Sequence, residues 1–299
     1  MINIQTTLWA SIMVAGLAIA PLSASAQAFD PNDEGQSAYV DGNLFFLAYH
    51  EVGHMILDQV LDVDQHGDRL ASEEAADDIA TWLMLPDPDE TEQDEEIWAA
   101  IEGWSRSAEL QQGVSQNTHY PDDGTRAARI ACYLYGSNPR LYPELAEAFS
   151  VSINSVDCEE EVEVLHADLE DWFGDHLIPP ASPDGASIHV QYEPAGGALA
   201  SAQSYLMQSG VLEDAAEDIS QFVRLPNDVT LVARSCGRGA AEFRYSPSAR
   251  RITACYEAVD WLMRDANDEQ QDVSQASAES GDEIGSGGAR VPRRPRPRG

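Results

Sequence analysis

The first half of the chain has hydrophobic positions that recur with the period of an α-helix. The clearest run is Asn43–Leu61, where apolar and aromatic side chains return every three or four residues. A second helix is predicted from Ser72, a candidate N-cap, to about Leu85, because prolines follow it. Further helical patterns follow at Ile97–Gln111, Thr125–Tyr135, Tyr142–Phe149 and Val162–Phe173. We therefore predict a helical region over residues 27–180.

Strand patterns occur only in the second half, after a proline-rich boundary at residues 179–183. Alternating apolar and polar residues predict strands at Ser187–Tyr192, Val229–Arg234, Glu242–Tyr245 and Arg251–Cys255. Two helical patterns lie among them, at Leu199–Ser209 and Tyr256–Arg264. The whole pattern predicts an α+β fold that is mainly helical, with a strand-rich region over residues 181–265.

The two ends of the chain differ from the region between them. Residues 1–26 carry no charged side chain, and an apolar run from Leu8 to Leu22 leads into small residues, which is typical of a cleaved secretory signal peptide. The run is too short and too broken for a membrane anchor. Residues 266–299 are rich in polar residues and close with RVPRRPRPRG, so we predict a disordered tail, first acidic and then rich in Arg and Pro.

The charge of the chain restricts its partners. There are 52 acidic residues against 17 basic ones, all of them Arg, and the formal net charge is -35. A nucleic-acid partner is disfavoured, because phosphate contacts need clustered cations. Stable insertion into a membrane, or docking of the folded region on an anionic membrane, is disfavoured too.

The cysteines indicate an oxidising compartment. All four lie after the predicted signal peptide, and an even number in an exported chain is typical of disulfides. Three pairings are possible. We predict Cys132–Cys158 and Cys236–Cys255, which close the shortest loops, and we expect a periplasmic or secreted protein.

The sequence His50-Glu51-Val52-Gly53-His54 is an HExxH motif within the first predicted helix. Two histidines four residues apart lie on one helix face, so both imidazoles can reach one metal ion. Glu51 lies about 100° around the helix from His50, where it can contact a metal-bound water without ligating the metal. The motif therefore predicts a zinc site with Glu51 as general base.

A third protein ligand is needed for a catalytic zinc site. The metzincin pattern is excluded, because Leu57 and Val60 stand where it requires Gly and His. The gluzincin pattern needs a Glu on a second helix, with an Asp four residues later that holds a zinc-binding His. Both Glu73 with Asp77 and Glu74 with Asp78 have this spacing. The helical phase favours Glu73 as ligand and Asp77 as its supporting carboxylate, and Glu74 stays the alternative.

The runs FFLAYHEVGHMILDQ and EEAADDIATWLML resemble a bacterial family of exported, gluzincin-like metallopeptidases classed as a domain of unknown function. ACYLYGSNP and the Cys-Tyr-Glu block beginning at Cys255 are similar to further segments of that family, although Glu242 stands where the family usually has Asn. The resemblance covers most of residues 40–265. It implies a zinc peptidase that acts on a peptide or protein substrate.

Zinc peptidases also need a donor that stabilises the oxyanion. His119, with Asp122 or Asp123 to orient it, is the leading candidate, and Tyr49 and Tyr245 are weaker ones. Two other functions remain open. One is a catalytically silent periplasmic binding protein stabilised by zinc, and the other is an interaction protein acting through its Arg-rich tail.

The order of the predicted elements is unusual for a gluzincin-like core. Such domains usually place a small sheet before the active-site helix. Here residues from about Gln27 to Gly42 are predicted to form a loop, and every predicted strand follows Pro183. We therefore predict a permuted order, in which the C-terminal half supplies the sheet and packs it against the HExxH helix.

Overall fold

In the first half, two helices pack directly on the HExxH helix. The computed structural model describes residues 28–61, 69–86, 91, 93–110, 122–149, 157–176, 186–237 and 242–279. In the first half these form six α-helices: α1 (Glu34–Gln59), α2 (Arg69–Met84), α3 (Glu95–Leu110), α4 (Asp123–Ser137), α5 (Pro143–Ala148) and α6 (Cys158–Phe173). α1 is buried along most of its length between α2 and α3, since nearly all its apolar residues are inaccessible to solvent.

The second half supplies a small mixed sheet and three helices. The elements are β1 (Ile188–Tyr192), α7 (Ala200–Ser209), α8 (Val211–Phe222), β2 (Val229–Arg234), β3 (Phe243–Ser246), β4 (Arg251–Cys255) and α9 (Tyr256–Glu279). The strand order is β1-β2-β4-β3, with β1, β2 and β4 parallel and β3 antiparallel at the edge. The fold is α+β and mainly helical, as predicted.

The second half packs directly on α1. The strands β3 and β4 and the helices α8 and α9 all contact it. Polar contacts accompany this packing: the Tyr39 hydroxyl donates to Asp265 at 2.5 Å, and the Tyr205 hydroxyl donates to Asp41 at 2.8 Å. The predicted placement of the C-terminal sheet against the HExxH helix is therefore present in the structure.

Both predicted disulfides are present. Cys132 of α4 is bonded to Cys158 at the start of α6, and Cys236 is bonded to Cys255 at the end of β4. None of the helices in the described part of the chain is long and apolar enough to cross a membrane.

The structure corrects two predicted helix starts. α1 begins at Glu34, so the loop predicted up to Gly42 was wrong for its last nine residues. The Asp33 side chain caps this helix by accepting hydrogen bonds from the backbone amides of Gly35 and Gln36. Ser72 was predicted as an N-cap, but it lies inside α2.

Two helical segments in the second half were also predicted wrongly. α8 was missed, although its buried residues have helical spacing: Val211, Leu212, Ala215, Ala216 and Ile219. α9 does not end at Arg264 but continues to Glu279, into the segment predicted to be disordered. Its continuation lacks Gly and Pro, and a helix that is already nucleated extends at low cost through such residues.

Candidate metal centre

Three side chains from α1 and α2 converge on one point. The Nε2 atoms of His50 and His54 are 3.2 Å apart. Glu73 Oε2 lies 3.2 Å from Nε2 of His50 and 3.4 Å from Nε2 of His54. One ligand atom from each residue thus lies within 4.8 Å of the others, close enough for all three to hold one metal ion.

A close approach of the two helices brings Glu73 to the histidines. Gly53, inside the HExxH motif, lies against Ala76 of α2, and a Cβ atom at Gly53 would be 2.8 Å from the Cα and the carbonyl oxygen of Ala76. Glu73 lies one turn before Ala76. The missing side chain of Gly53 therefore lets α2 come near enough for its carboxylate to reach both imidazoles.

Asp77 lies on the other side of the His50 ring. Its Oδ1 atom is 2.8 Å from Nδ1 of His50, which leaves Nε2 to face Glu73 and His54. Burial alone would raise the pKa of Asp77, but the Arg126 guanidinium and His50 outweigh burial and lower it. Asp77 is therefore an ionised acceptor for the Nδ1 proton of His50.

The alternative pair on α2, Glu74 with Asp78, lies away from the two histidines. Asp78 accepts hydrogen bonds from Arg129 at 2.7 Å and from the Tyr133 hydroxyl at 3.0 Å, away from the two histidines. Glu74 is half-buried and is not part of the convergent group. The structure thus places Glu73 and Asp77, and not their neighbours, beside the HExxH histidines.

Glu51 is held by the sheet. Its carboxylate accepts a hydrogen bond from the backbone amide of Tyr245 in β3, the edge strand. Burial raises the pKa of Glu51, and the nearby His50 and His54 only partly offset this effect. A buried carboxylate with a raised pKa, next to a candidate metal site, is suited to accept a proton near neutral pH.

The comparison with known families fits this geometry. Residues 17–172 and 192–285 match the family described as "Putative metallopeptidase". The chain belongs to this metallopeptidase family. No curated protein and no solved structure matches it.

The Cys-Tyr-Glu block that begins at Cys255 holds neighbouring segments of the chain in place. Cys255 carries a disulfide, and the Tyr256 hydroxyl donates to the carbonyl oxygen of Glu193 at 2.7 Å. The Glu257 carboxylate accepts hydrogen bonds from the backbone amides of Cys236 and Gly237, both at 2.9 Å. The block thus fixes the chain shortly before β3, the strand that contacts Glu51.

The residues predicted as oxyanion donors lie in different places in the structure. His119 lies outside the described residues. The Tyr49 hydroxyl is bonded to another group, since it donates to Asp218 of α8 at 2.5 Å, and both residues line a cavity of about 390 Å³. Tyr245 is adjacent to the site, but its hydroxyl donates to Asp58 at 2.8 Å. Asp122 caps α4 through the backbone amide of Thr125.

Two residues near the site were missed from the sequence. Arg126 of α4 donates hydrogen bonds to both carboxylate oxygens of Asp77. The ring of Trp104 in α3 lies 3.6 Å from the Arg126 guanidinium carbon. The sequence held a weak indication that an arginine pairs with a buried carboxylate. The chain has no Lys, and only 12 of its 17 arginines precede the Arg-rich end. Few cations are therefore available for such a pair.

Proposed function

We propose that the protein is a zinc-dependent metallopeptidase that hydrolyses peptide bonds, with Glu51 as general base. The convergence of His50, His54 and Glu73 carries this proposal. Ligand atoms about 2.0–2.1 Å from a tetrahedral zinc ion lie about 3.3–3.4 Å apart. The separations of 3.2–3.4 Å between these nitrogen and oxygen atoms agree with that requirement.

The donor set also supports zinc by its chemistry. Two imidazoles and one carboxylate are a known ligand set of catalytic zinc in peptidases, which keeps a further position open. A zinc ion bound there supplies Lewis acidity, which makes a water molecule nucleophilic near neutral pH. Hard cations such as calcium prefer more ligands, all of them oxygen atoms.

Glu51 would move the proton in this reaction. It accepts the proton from the attacking water and passes it to the leaving amine. The Tyr245 amide fixes the direction of its carboxylate, and burial raises its pKa, so the group is ready to take a proton. An intact and well-held base favours an enzyme over a silent zinc-stabilised binding protein.

The edge strand supports an extended peptide as the substrate. β3 ends the strand order of the sheet, and its Tyr245 amide points towards Glu51. An extended chain can add to such an edge through backbone hydrogen bonds, next to the reacting groups. We propose that the substrate backbone lies along β3.

Zinc content and hydrolysis of a mixed peptide library test the function together. We expect one zinc per wild-type chain and measurable cleavage. His54→Ala should lose zinc and activity, because two remaining ligands do not close the site. Glu51→Gln should keep zinc and lose nearly all cleavage, because the amide has the shape of the acid but accepts no proton.

Two matched variants on α2 test whether Glu73 is the third metal ligand. Glu73→Gln should weaken zinc binding, whereas Glu74→Gln, at the next position but outside the convergent group, should bind zinc like wild type. Wild-type protein that takes up no zinc would overturn the proposal. Cleavage by Glu51→Gln at the wild-type rate would remove Glu51 as the base.

We also propose that the protein is exported through a signal peptide over residues 1–26. The two disulfides support this, because such bonds persist in oxidising compartments. N-terminal sequencing of the protein from the periplasm or medium should begin near Gln27. A chain that stays in the cytoplasm with its first residues intact would contradict export.

A further inference from the structure

Four helices each contribute one member to a connected row of side chains behind the metal centre. The row consists of His50 in α1, Asp77 in α2, Arg126 in α4 and Trp104 in α3. His50 Nδ1 is 2.8 Å from Asp77 Oδ1, and Arg126 Nε is 2.8 Å from Asp77 Oδ2. Arg126 Nη2 donates to Asp77 Oδ1 as well, so the guanidinium and the carboxylate are paired through two bonds.

The guanidinium of Arg126 is fixed from a second side. Its carbon atom lies 3.6 Å from the centre of the Trp104 ring, and Trp104 in turn packs edge-on against Phe46 of α1, with ring centres 5.9 Å apart. The Arg126 side chain is only 10% exposed. A planar guanidinium that stacks on an indole and forms two bonds to a carboxylate has little freedom to rotate.

Arg126 lies on the Nδ1 side of His50, away from the candidate metal position beside Nε2. Its Nη2 atom is 3.4 Å from Nδ1 of His50, whereas the convergent atom of that ring is Nε2. The imidazole therefore separates Arg126 from the candidate metal position. Arg126 therefore contacts the candidate ligand set only from the Nδ1 side of His50, where its strongest bonds go to Asp77.

We propose that Arg126, stacked on Trp104, is a positioning residue that sets the geometry of the metal centre. It holds Asp77 in one orientation, and Asp77 holds the His50 ring so that Nε2 points at the metal. Groups that orient a metal-binding His typically change metal affinity by about 10–100-fold when removed. The inference rests on the proposed function only in that His50, His54 and Glu73 hold a metal ion.

Arg129 provides a matched control. It lies on α4 three residues after Arg126, and its Nη2 donates to Asp78, the neighbour of Asp77, at 2.7 Å. Arg129→Gln therefore removes another Arg–Asp pair between the same two helices. Asp78 contacts neither histidine, so this variant separates loss of helix packing from loss of metal positioning.

The experiment measures Zn²⁺ affinity by chelator competition and the visible spectrum of the Co²⁺-loaded protein, which reports ligand geometry. Arg126→Gln should bind Zn²⁺ about 10–100-fold more weakly and shift the Co²⁺ bands. Arg129→Gln should leave affinity and bands unchanged. Thermal unfolding of each variant shows that it is folded, and Trp104→Leu and Arg126→Lys give the same test if Arg126→Gln does not fold.

Two further outcomes decide the proposal. Arg126→Lys keeps the charge but cannot make the planar two-bond pair, so it should behave like Arg126→Gln, and a wild-type Co²⁺ spectrum in this variant would overturn the positioning role. In an Asp77→Asn background, Arg126→Gln should cause no further loss of affinity, because it acts through Asp77. Additive losses would overturn the proposed route.

Neither the Zn²⁺ affinity nor the Co²⁺ spectrum depends on peptide hydrolysis. A wild-type protein that binds metal but cleaves no peptide would refute the peptidase proposal and leave this inference standing. A metal-binding wild type with unchanged affinity and spectrum in folded Arg126→Gln would refute this inference whatever the activity.

Discussion

Gly53 shows how a single missing side chain can set the distance between the two helices that carry the candidate metal ligands. A Cβ atom there would overlap the backbone of Ala76 in α2. We expect Gly53→Ala to cost about 1–3 kcal/mol of unfolding free energy, as overpacking in a core does, despite the better helix propensity of Ala. Zinc affinity should fall as well, because α2 carries Glu73.

Gly35→Ala is the matched control for this prediction. Gly35 lies in the first turn of the same helix, and an added Cβ would be 3.4 Å from the nearest atom, an Asp33 carboxylate oxygen. Denaturant unfolding and chelator competition on both variants give the comparison. Equal stability and equal zinc affinity in the two would show that the contact between α1 and α2 does not set the site.

A pH-dependent effect on stability is expected at Glu96. Burial and the carboxylates of Asp94 and Asp41 raise its pKa to about 7, from an ordinary value of 4.5. A folded-state pKa above the unfolded one means that stability falls as the pH rises from about 4.5 through 7, because the folded chain must give up a proton that the unfolded chain has already lost.

The variant Glu96→Gln should therefore raise the melting temperature at about pH 8 and have almost no effect at about pH 4. The Glu96 carboxylate is only partly desolvated, because the residue also has surface in contact with solvent, and solvent screening therefore reduces the gain. Glu163→Gln, on the exposed face of α6, removes one negative charge elsewhere on the surface and serves as the control. A gain at pH 8 no larger than that of the control would contradict the prediction.

At the scale of secondary-structure elements, β3 lies between the two cysteines of one disulfide. The Cys236–Cys255 disulfide and Glu257 fix the chain before β3, which carries the Tyr245 amide to Glu51. Replacing both cysteines by Ala should cost about 2–4 kcal/mol of stability. It should also lower kcat, because the base loses its fixed hydrogen-bond donor.

The other disulfide offers a comparison of the same kind. Cys132–Cys158 joins α4 to α6, two helices of the first half, and encloses neither β3 nor Glu51 in its loop. Its removal should cost similar stability with a smaller change in kcat. Unfolding in urea and steady-state kinetics on the two double variants check this, and equal kcat losses would show that β3 does not orient the base.

The regular elements near the site were predictable because their signals are local. The HExxH spacing placed His50 and His54 on one helix face, and the helical phase favoured Glu73 over Glu74. Arg126 was not predictable in the same way, since its pairing with Asp77 depends on how α4 packs against α2. The end of α9 was missed because composition indicates whether a segment can bury a core, not whether it can extend a helix.

At the scale of the whole molecule, the two halves pack against each other along α1. Contacts from the second half reach α1 from near its start to near its end, at Ser37, Tyr39, Tyr49 and Asp58. The division predicted at residues 180 and 181 stays a prediction about sequence organisation. The candidate metal centre and the sheet lie on opposite sides of this boundary in the sequence, but they are in contact in the structure through Glu51 and Tyr245.

A chain ending at Gly185 should therefore lose activity and solubility. It would keep His50, His54 and Glu73 but expose the apolar surface of α1 that α8, α9 and the sheet cover. Expression of the fragment beside the full chain, with circular dichroism and peptide cleavage, tests this. A stable, fully active fragment would show that the second half is an independent module.

The contact between Glu51 and the Tyr245 amide joins residues 194 positions apart in the chain. The N-terminal part of a chain leaves the ribosome first, so His50, His54 and Glu73 are made long before the strand that contacts Glu51. Contacts at such separation form late in folding. If Glu51 is the base, as proposed, the order of synthesis delays activity until nearly the whole chain has emerged, and unfinished chains carry the HExxH motif without the strand that contacts Glu51.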